Sequence, residues 1–192
     1  MTYQGSTNWR GEQLSPIGIK TFQVAALKAL TATTNYTQYD VLSESASAGT
    51  VWTFDLSAYG FPQGGCGEIQ GAIIYAYNTQ ATHLSRMKFF DTTTLSANLN
   101  DNAQDTSPHV TDMFSGTTPR VIYFGYLDFG QLSKKGSGGT ENQVRPGDGG
   151  LSIPFKCASG DANLYGVLID MTGETSELAG GEYVIILNIR QD

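Results

Sequence analysis

Residues 98–112, NLNDNAQDTSPHVTD, form the part of the sequence that is richest in side chains able to do chemistry. This stretch holds three carboxylates (Asp101, Asp105 and Asp112), three asparagines and His109 within fifteen positions. Three interpretations are open at this point: a metal-binding loop, a pair of catalytic acids, or the polar connection between two strands.

The calcium interpretation fails on spacing. An EF-hand loop needs oxygen ligands at alternate positions, a glycine at the sixth position and a glutamate at the twelfth. Counted from Asp101, the sixth residue is Thr106, the twelfth is Asp112, and Ala103 occupies a ligand position. A connection whose Asn and Asp side chains bond to their own backbone explains the composition better. We therefore expect neither a metal nor another cofactor.

No sequence motif indicates an enzyme. Paired carboxylates could serve glycoside hydrolysis, but spacing within one loop does not give the separation that two catalytic carboxyl groups need. His83 and His109 are the only histidines, and neither lies in an HExxH pattern. The GxSxG, P-loop and GxGxxG patterns are absent from the sequence. We expect a protein without enzymatic activity, and a glycan hydrolase is the weakest alternative.

Composition and charge narrow the partners. Charged residues make up 15% of the chain, the net charge is −7, and the eleven Lys and Arg residues are scattered between Arg10 and Arg190. Nucleic-acid binding normally needs a patch of clustered basic residues, and scattered residues do not indicate one. We therefore expect no nucleic-acid partner. No apolar run approaches the ~20 residues of a membrane span, and MTYQGSTNWRGEQL does not resemble a signal peptide. The expected site of synthesis is a cytoplasm, with no membrane partner.

Two cysteines, Cys66 and Cys157, are too few for a disulfide framework or a zinc site. Two unpaired thiols are the preferred interpretation for a protein made in a reducing cytoplasm. Both cysteines sit beside glycine-rich turns, where a thiol could be exposed. A disulfide between neighbouring subunits, formed after release into oxidising surroundings, is therefore the alternative.

Short β-like runs separated by turn residues follow one another along the chain. They are predicted at 19–27, 39–44, 50–56, 67–78, 85–91, 120–129, 150–156, 163–171 and 182–189. This pattern favours an all-β protein with an antiparallel β-sandwich, jelly-roll-like, formed by residues 19–192 as one domain.

Four segments complete the predicted organisation. Residues 1–18 are polar and aperiodic and are expected to form an extended N-terminal arm, in which Trp9 is the aromatic most able to dock. Helical spacing in 22–30 and a Ser-Pro pair in 106–114 leave a helix and a helical turn as local alternatives. The glycine-rich segment 134–150 is expected to be a long exposed loop.

Several segments in order resemble one family of tailed-bacteriophage virion proteins, the head decoration or capsid cement proteins. NYTQYDVLSE resembles the family's early Tyr-x-x-x-Asp-Val-Leu segment, and NDNAQD is similar to its Asp-Asn-Ala loop. GGCGEIQGAIIYAYNTQATHLSRMKFFDTT resembles its glycine-rich turn, long strand and Phe-Phe-Asp strand, and YFGYLDF the strand that follows. LSIPFKCASGDANLYGVLIDM and GGEYVIILNIRQD are similar to its final strands, so the resemblance spans about residues 20 to 192.

The resemblance implies a structural virion protein that decorates and stabilises the outer capsid surface by bridging major capsid protein subunits, commonly as a homotrimer. We expect Trp9 and Arg10 in the arm, and Asp101, Asn102 and Asp105 in the polar loop, to contact the capsid or a neighbouring subunit. A carbohydrate-binding or adhesion module of a phage tail or fibre is the alternative of a different class.

Overall fold

The computed structural model describes residues 19–30, 36–77, 81, 84–93, 98–107, 121–134, 138–144, 152–173 and 181–191. The predicted arm with Trp9 and Arg10, both histidines, and residues 108–114 of the predicted helical turn lie outside these ranges. Among the described residues, no helix is long and apolar enough to cross a membrane.

The described residues form ten strands and one short 3-10 turn at Ser57–Tyr59. The strands are β1 (Lys20–Leu30), β2 (Trp52–Asp55), β3 (Cys66–Ala76), β4 (Ser85–Phe90), β5 (Tyr123–Phe129), β6 (Ser133–Lys134), β7 (Thr140–Val144), β8 (Ile153–Lys156), β9 (Asn163–Asp170) and β10 (Gly181–Gln191). Every pairing between them is antiparallel. The predicted all-β antiparallel fold is confirmed.

The strand order is that of a jelly roll. The larger sheet has the order β1-β10-β3, and β3 then pairs with both β8 and β7, which is followed by β6. The smaller sheet has the order β2-β9-β4-β5. If the short strands β6 and β7 are set aside, the remaining eight strands lie in the orders first, eighth, third, sixth and second, seventh, fourth, fifth. These are the two interleaved four-stranded sheets of the eight-stranded jelly-roll architecture.

Residues 22–30 belong to strand β1 and do not form the helix that their spacing left as an alternative. Its side chains alternate between an exposed and a buried face from Thr21 to Leu30, as the two-residue period of a strand requires. The ladder to β10 runs without a register shift from Lys20 opposite Gln191 to Leu30 opposite Gly181. Pairing with β10 along the whole length of one edge holds the segment as a strand and buries one of its two faces.

The prediction of a strand at 39–44 was wrong. Residues 39–44 form isolated bridges, Asp40 with Gln104 and Val41 with Ile169, and not a strand. Tyr39 has a φ of 74°, so the backbone turns where a strand would have to begin.

The prediction of a long exposed loop at 134–150 was also wrong. This segment contains β7, which pairs with β3 from Ala72 to Ala76. Gly139 allows this approach, because a Cβ there would lie 2.4 Å from the carbonyl oxygen of Ala76.

The main core lies between the two sheets. Its largest fully buried side chains include Trp52, Phe54, Phe89, Leu164 and Leu168. A second, smaller apolar cluster is formed by Val41, Val51, Phe90, Val121, Tyr165 and Val167. Tyr165 and Val167 alternate along β9 with core residues, so the second cluster lies on the outer face of the smaller sheet.

Truncation of Phe54 should cost about 3–5 kcal/mol of unfolding free energy, because this side chain is fully buried beside Phe89 and its removal leaves a cavity. Thr53→Ala, at the adjacent exposed position of β2, is the matched control and should change stability by less than ~0.5 kcal/mol. Urea unfolding followed by tryptophan fluorescence measures both variants. Equal midpoints for Phe54→Ala and Thr53→Ala would contradict the assigned core.

Candidate interaction surface

The carboxylate of Asp101 joins two segments that are far apart in the sequence. Its Oδ1 accepts hydrogen bonds from the hydroxyl of Tyr36 and the backbone N–H of Ser43, both at 2.9 Å. Its own backbone N–H donates to the carbonyl oxygen of Ser45 at 2.8 Å. Asp101 is 4% exposed, and burial together with this carboxylate raises the pKa of Tyr36. Tyr36 therefore stays a neutral donor.

The rest of the loop continues this attachment. The backbone N–H of Asn102 donates to Val41, and that of Asp105 donates to Tyr39, at 2.9 and 2.7 Å. Asn102 has a φ of 61°, a left-handed conformation that asparagine tolerates better than most residues. The Asp105 carboxylate accepts from the backbone N–H of Ser107 at 2.9 Å and pairs with Lys88 on β4.

Residues 98–107 thus cover part of the outer face of the smaller sheet together with residues 36–51. Leu99 packs against the second apolar cluster, whose members Val41 and Val51 come from the other covering segment. The ion pair between Asp105 and Lys88 closes this cover onto β4. The polar stretch is a strand connection whose side chains bind the protein's own backbone.

The predicted contact residues of this loop are placed differently from one another. Asp101 is buried and Asp105 is nearly so, and both make bonds within the subunit. Asn102 is exposed, so only this one of the three has a side chain on the surface. Its contact with a capsid remains a prediction.

A second network attaches β1 to the same covering segment. The ammonium group of Lys28 pairs with Glu44 and donates to the carbonyl oxygen of Thr50. It also lies 5.7 Å from the centre of the Trp52 ring. Burial alone would raise the pKa of Glu44, but hydrogen bonds from Lys28, Thr50 and Ser43 outweigh it and hold that pKa at about 2. Burial lowers the pKa of Lys28.

The outer face of the larger sheet carries an apolar patch. Two rows of outward-facing side chains cross β1, β10 and β3, and we call them the outer apolar patch: Leu27, Val184 and Tyr75 in one row, and Ala25, Ile186 and Ile73 in the next. Leu27 is 56% exposed and Tyr75 is 37% exposed. Among the described residues, no segment packs over this face in the way that 36–51 and 98–107 pack over the smaller sheet.

An open groove of about 330 Å³ adjoins the patch. It is lined mainly by apolar atoms of Tyr75, Tyr77, Val184 and Ile186, with Gly138 and Gly139 on the side of β7. Patches of exposed apolar surface on soluble proteins commonly mark contact sites. The patch and its groove are the part of the described surface best suited to bind another macromolecule.

Sequence reasoning missed the patch, although a signal was present. A strand with one solvated face alternates apolar and polar residues, whereas AIIY at 72–75 and VIIL at 184–187 are apolar on both faces. Such continuous runs predict a strand that is covered on both sides. The described residues cover only one side of these two strands.

The two thiols lie on opposite faces of the larger sheet. Cys66 pairs with Lys156 across β3 and β8, which places Cys157 opposite Gly65, one position further along. Because neighbouring positions face opposite ways, Cys66 is exposed while Cys157 is buried, and both are free. Burial raises the pKa of Cys157 to about 12. Of the two predicted intersubunit thiols, only Cys66 is accessible to a neighbour in this structure.

The described residues contain no group of three or more His, Cys, Asp or Glu side chains that could hold a metal ion. The exposed pair Arg86 and Asp128 is a bidentate surface ion pair, with the guanidinium 3.9 Å from the centre of the Tyr126 ring. This arrangement satisfies its own charges and presents no unpaired acid or base.

Comparison with known proteins adds two remote likenesses. No protein-family model and no curated protein matches the sequence. Among solved structures, the chain is similar to the decameric BFDV capsid protein, with 13% identity, 91% of this chain and 99% of that chain covered, and a TM-score of 0.31. It is also similar to the protein of the semi-empty virus-like particle of the Macrobrachium rosenbergii nodavirus, from the giant freshwater prawn. Here the identity is 12%, the coverage is 90% of this chain and 92% of that chain, and the TM-score is 0.32.

Both matches involve proteins of viral particles. TM-scores this low carry no argument about the function of this chain. The jelly-roll assignment rests on its own strand order.

Replacement of Asp101 by alanine should destabilise the protein, because the Tyr36 hydroxyl and the Ser43 N–H lose their acceptor inside the structure. We expect a loss of about 1–3 kcal/mol for each donor left unsatisfied. Thermal or urea unfolding measures the loss, and Glu182→Ala on the exposed side of β10 removes the same charge as a control. A wild-type midpoint for Asp101→Ala would show that the two segments do not depend on this carboxylate.

Stability should also fall in acid through Glu44. Its folded pKa of about 2 lies below the ordinary value of 4.5, so its contribution is complete above about pH 5 and is lost as the pH falls toward 2. The variant Glu44→Gln should be less stable than wild type at pH 7, and the difference should shrink as the pH approaches 2. Urea midpoints measured from pH 7 to pH 2 test this dependence, with Glu182→Gln as the exposed control. A difference that stays constant with pH would refute the assigned role of Glu44.

Proposed function

We propose that this protein is a structural virion protein that decorates the outer surface of a tailed-phage capsid and stabilises it by bridging major capsid protein subunits. The observation that carries the proposal is the difference between the two outer faces of the sandwich. The apolar cluster on one face is covered by the chain's own polar segments, and the other face presents the outer apolar patch without a described cover. The ordered resemblance of the sequence to head decoration proteins supplies the kind of surface that the patch would meet.

The shape of the patch supports a macromolecular partner. Small-molecule sites are concave and enclose most of their ligand. The outer apolar patch instead extends in two rows across three neighbouring strands, and the groove beside it is open. An apolar surface that spans three strands fits the surface of another protein better than it fits a metabolite.

The described carboxylates of the polar stretch and of its contact segment accept hydrogen bonds, while Asp112 lies outside the described residues. Asp101 and Asp105 bind the covering segments, and Asp40 accepts from the backbone N–H of Thr37 and, at 2.8 Å, from the side chain of Gln104. A catalytic acid and base must be free to exchange protons with a substrate. These bonds support a protein that acts by binding and needs no cofactor.

The proposed mechanism is thermodynamic. A protein that contacts neighbouring capsid subunits at once binds the assembled shell and not the separated subunits, so its binding free energy adds to the stability of the shell. Repetition over a lattice multiplies modest contacts through high effective concentration. In this proposal the protein is a homotrimer, the patch faces the major capsid protein, and the arm at residues 1–18 with Trp9 and Arg10 reaches a neighbouring subunit.

One observation favours the alternative of a carbohydrate-binding or adhesion module of a tail or fibre. Tyr75 and Tyr77 are exposed beside the groove, and Tyr77 is 63% exposed. Amphipathic rings at the edge of an open groove could also lie against a glycan. The two proposals differ in partner, and one experiment separates them.

Purified protein mixed with expanded, undecorated heads should sediment with them and raise the temperature at which they rupture. The variant Tyr75→Glu places a charge in the patch and should weaken head binding at least ten-fold, because the carboxylate must be desolvated on contact. Tyr126→Glu makes the same change at a similarly exposed tyrosine on the smaller sheet and should bind as wild type does. Co-sedimentation and head-melting curves measure both effects.

The opposite pattern, in which Tyr126→Glu abolishes head binding and Tyr75→Glu leaves it intact, would show that the capsid binds the smaller sheet and not the patch. Failure of the wild-type protein to sediment with heads, combined with retention on a glycan surface, would overturn capsid decoration in favour of the adhesion module.

A further inference from the structure

Strand β1 is a long sheet edge that has no bulge, no proline and no outward-facing charge. It is eleven residues long and pairs with β10 along its whole length without a bulge. None of the other described strands pairs with its second edge. Natural edge strands are commonly short, bulged or marked with outward-facing charges, because a long regular edge pairs with any matching strand.

The outward face of β1 is uncharged over its entire length. Its exposed side chains are Thr21, Gln23, Ala25, Leu27 and Ala29. The two charged residues of the strand are occupied within the subunit: Lys20 donates to the carbonyl oxygen of Tyr59, and Lys28 pairs with Glu44. No carboxylate lies on β1, so an approach along this edge brings no two acidic side chains of the strands together.

We propose that β1 pairs with the β1 of a second copy of this chain, antiparallel and across a two-fold axis. Only antiparallel pairing lets one strand serve as both halves of a symmetric contact. Ala25 is the middle residue of β1, so full overlap places the Ala25 residues of the two copies opposite each other. Lys28 then lies opposite Phe22, and Lys20 opposite Leu30, so that no two like charges face each other.

The outer apolar patch is the reason that the occupant is a second copy. Both rows of the patch run up to β1 and stop there, with Leu27 and Ala25 at the sheet edge. Leu27 is 56% exposed, more than Val184 and Tyr75 in the same row, because those two residues have a neighbouring strand on each side and Leu27 has one on a single side. In this register the row of Ala25, Ile186 and Ile73 continues into the same row of the second copy, and each Leu27 lies opposite the Gln23 of the other copy beside that shared row.

The contact goes beyond capsid decoration and does not depend on it, because it is measured on the purified protein without heads. If both hold, the edge contact joins copies that belong to neighbouring homotrimers, and each joined pair presents one continuous apolar surface to the capsid. A failure of head binding would leave the edge contact standing, and a failure of the edge contact would leave single copies able to bind heads.

Light scattering coupled to size-exclusion chromatography tests the contact over a range of concentrations. The full chain should form species related by a two-fold contact, and Ala25→Lys should raise their dissociation constant at least ten-fold by placing two ammonium groups opposite each other. Ala58→Lys makes the same substitution at an exposed position in the 3-10 turn and should leave the association unchanged. Circular dichroism checks that both variants are folded.

Cysteine crosslinking fixes the geometry. In a Cys66→Ser background, Ala25→Cys should give a disulfide-linked pair under mild oxidation, whereas Ala58→Cys should give none. Monomers at every concentration, no crosslink through position 25, or an association that Ala25→Lys does not weaken would each overturn the proposal. A chain that pairs only after deletion of residues 1–18 would overturn it as well, because the edge would then be covered in the full chain.

Discussion

The hydrogen bonds to the buried carboxylate of Asp101 hold together the two segments that cover the apolar cluster of the smaller sheet. This group holds residues 36–51 and 98–107 together, and the two segments in turn bury the apolar cluster on the smaller sheet. A buried carboxylate is costly unless donors bond to it, and the two donors to Oδ1 come from one remote segment, which makes the contact specific. The Lys88–Asp105 and Lys28–Glu44 pairs attach the same cover to β4 and β1.

The two outer faces of the sandwich differ in how they are covered. A two-sheet sandwich needs only its inner faces to be apolar, and polar side chains normally line the outer ones. Here each outer face carries an apolar cluster, one covered by the chain and the other without a described cover. The difference explains why the chemistry-bearing residues of the sequence contribute to folding, while the surface proposed for function consists of aliphatic and tyrosine side chains.

Much of the fold could be predicted from the sequence, because strand periodicity is a local property. Runs such as SRMKFF and NLYGVLID predict strands through their length, their β-branched and aromatic residues and the turn residues beside them. Strand β7 could not be predicted in this way, since TENQV has one apolar residue and forms a strand only because the edge of β3 is available to it. Its existence depends on tertiary pairing, which no local pattern records.

The candidate surface shows the same division. Asp101 could be identified as important from its neighbours, but the choice between a metal ligand, a contact residue and an internal acceptor depends on residues 36–45, which are remote in sequence. The outer apolar patch could have been found from the continuous apolar runs of β3 and β10. The edge position of β1 could not, because it follows from the order of the strands and not from the strand itself.

The register of β1 against β10 also has a mechanical consequence. Lys20 lies opposite Gln191, so the chain enters β1 and leaves β10 at the same end of the sheet. A force that separated these two points would open the ladder from that end, one pair after another. A force applied to β1 along its own axis would instead load all eleven of its pairs with β10 together. The sandwich therefore resists tension well in one direction and poorly in the other, and its strength depends on where the load is attached.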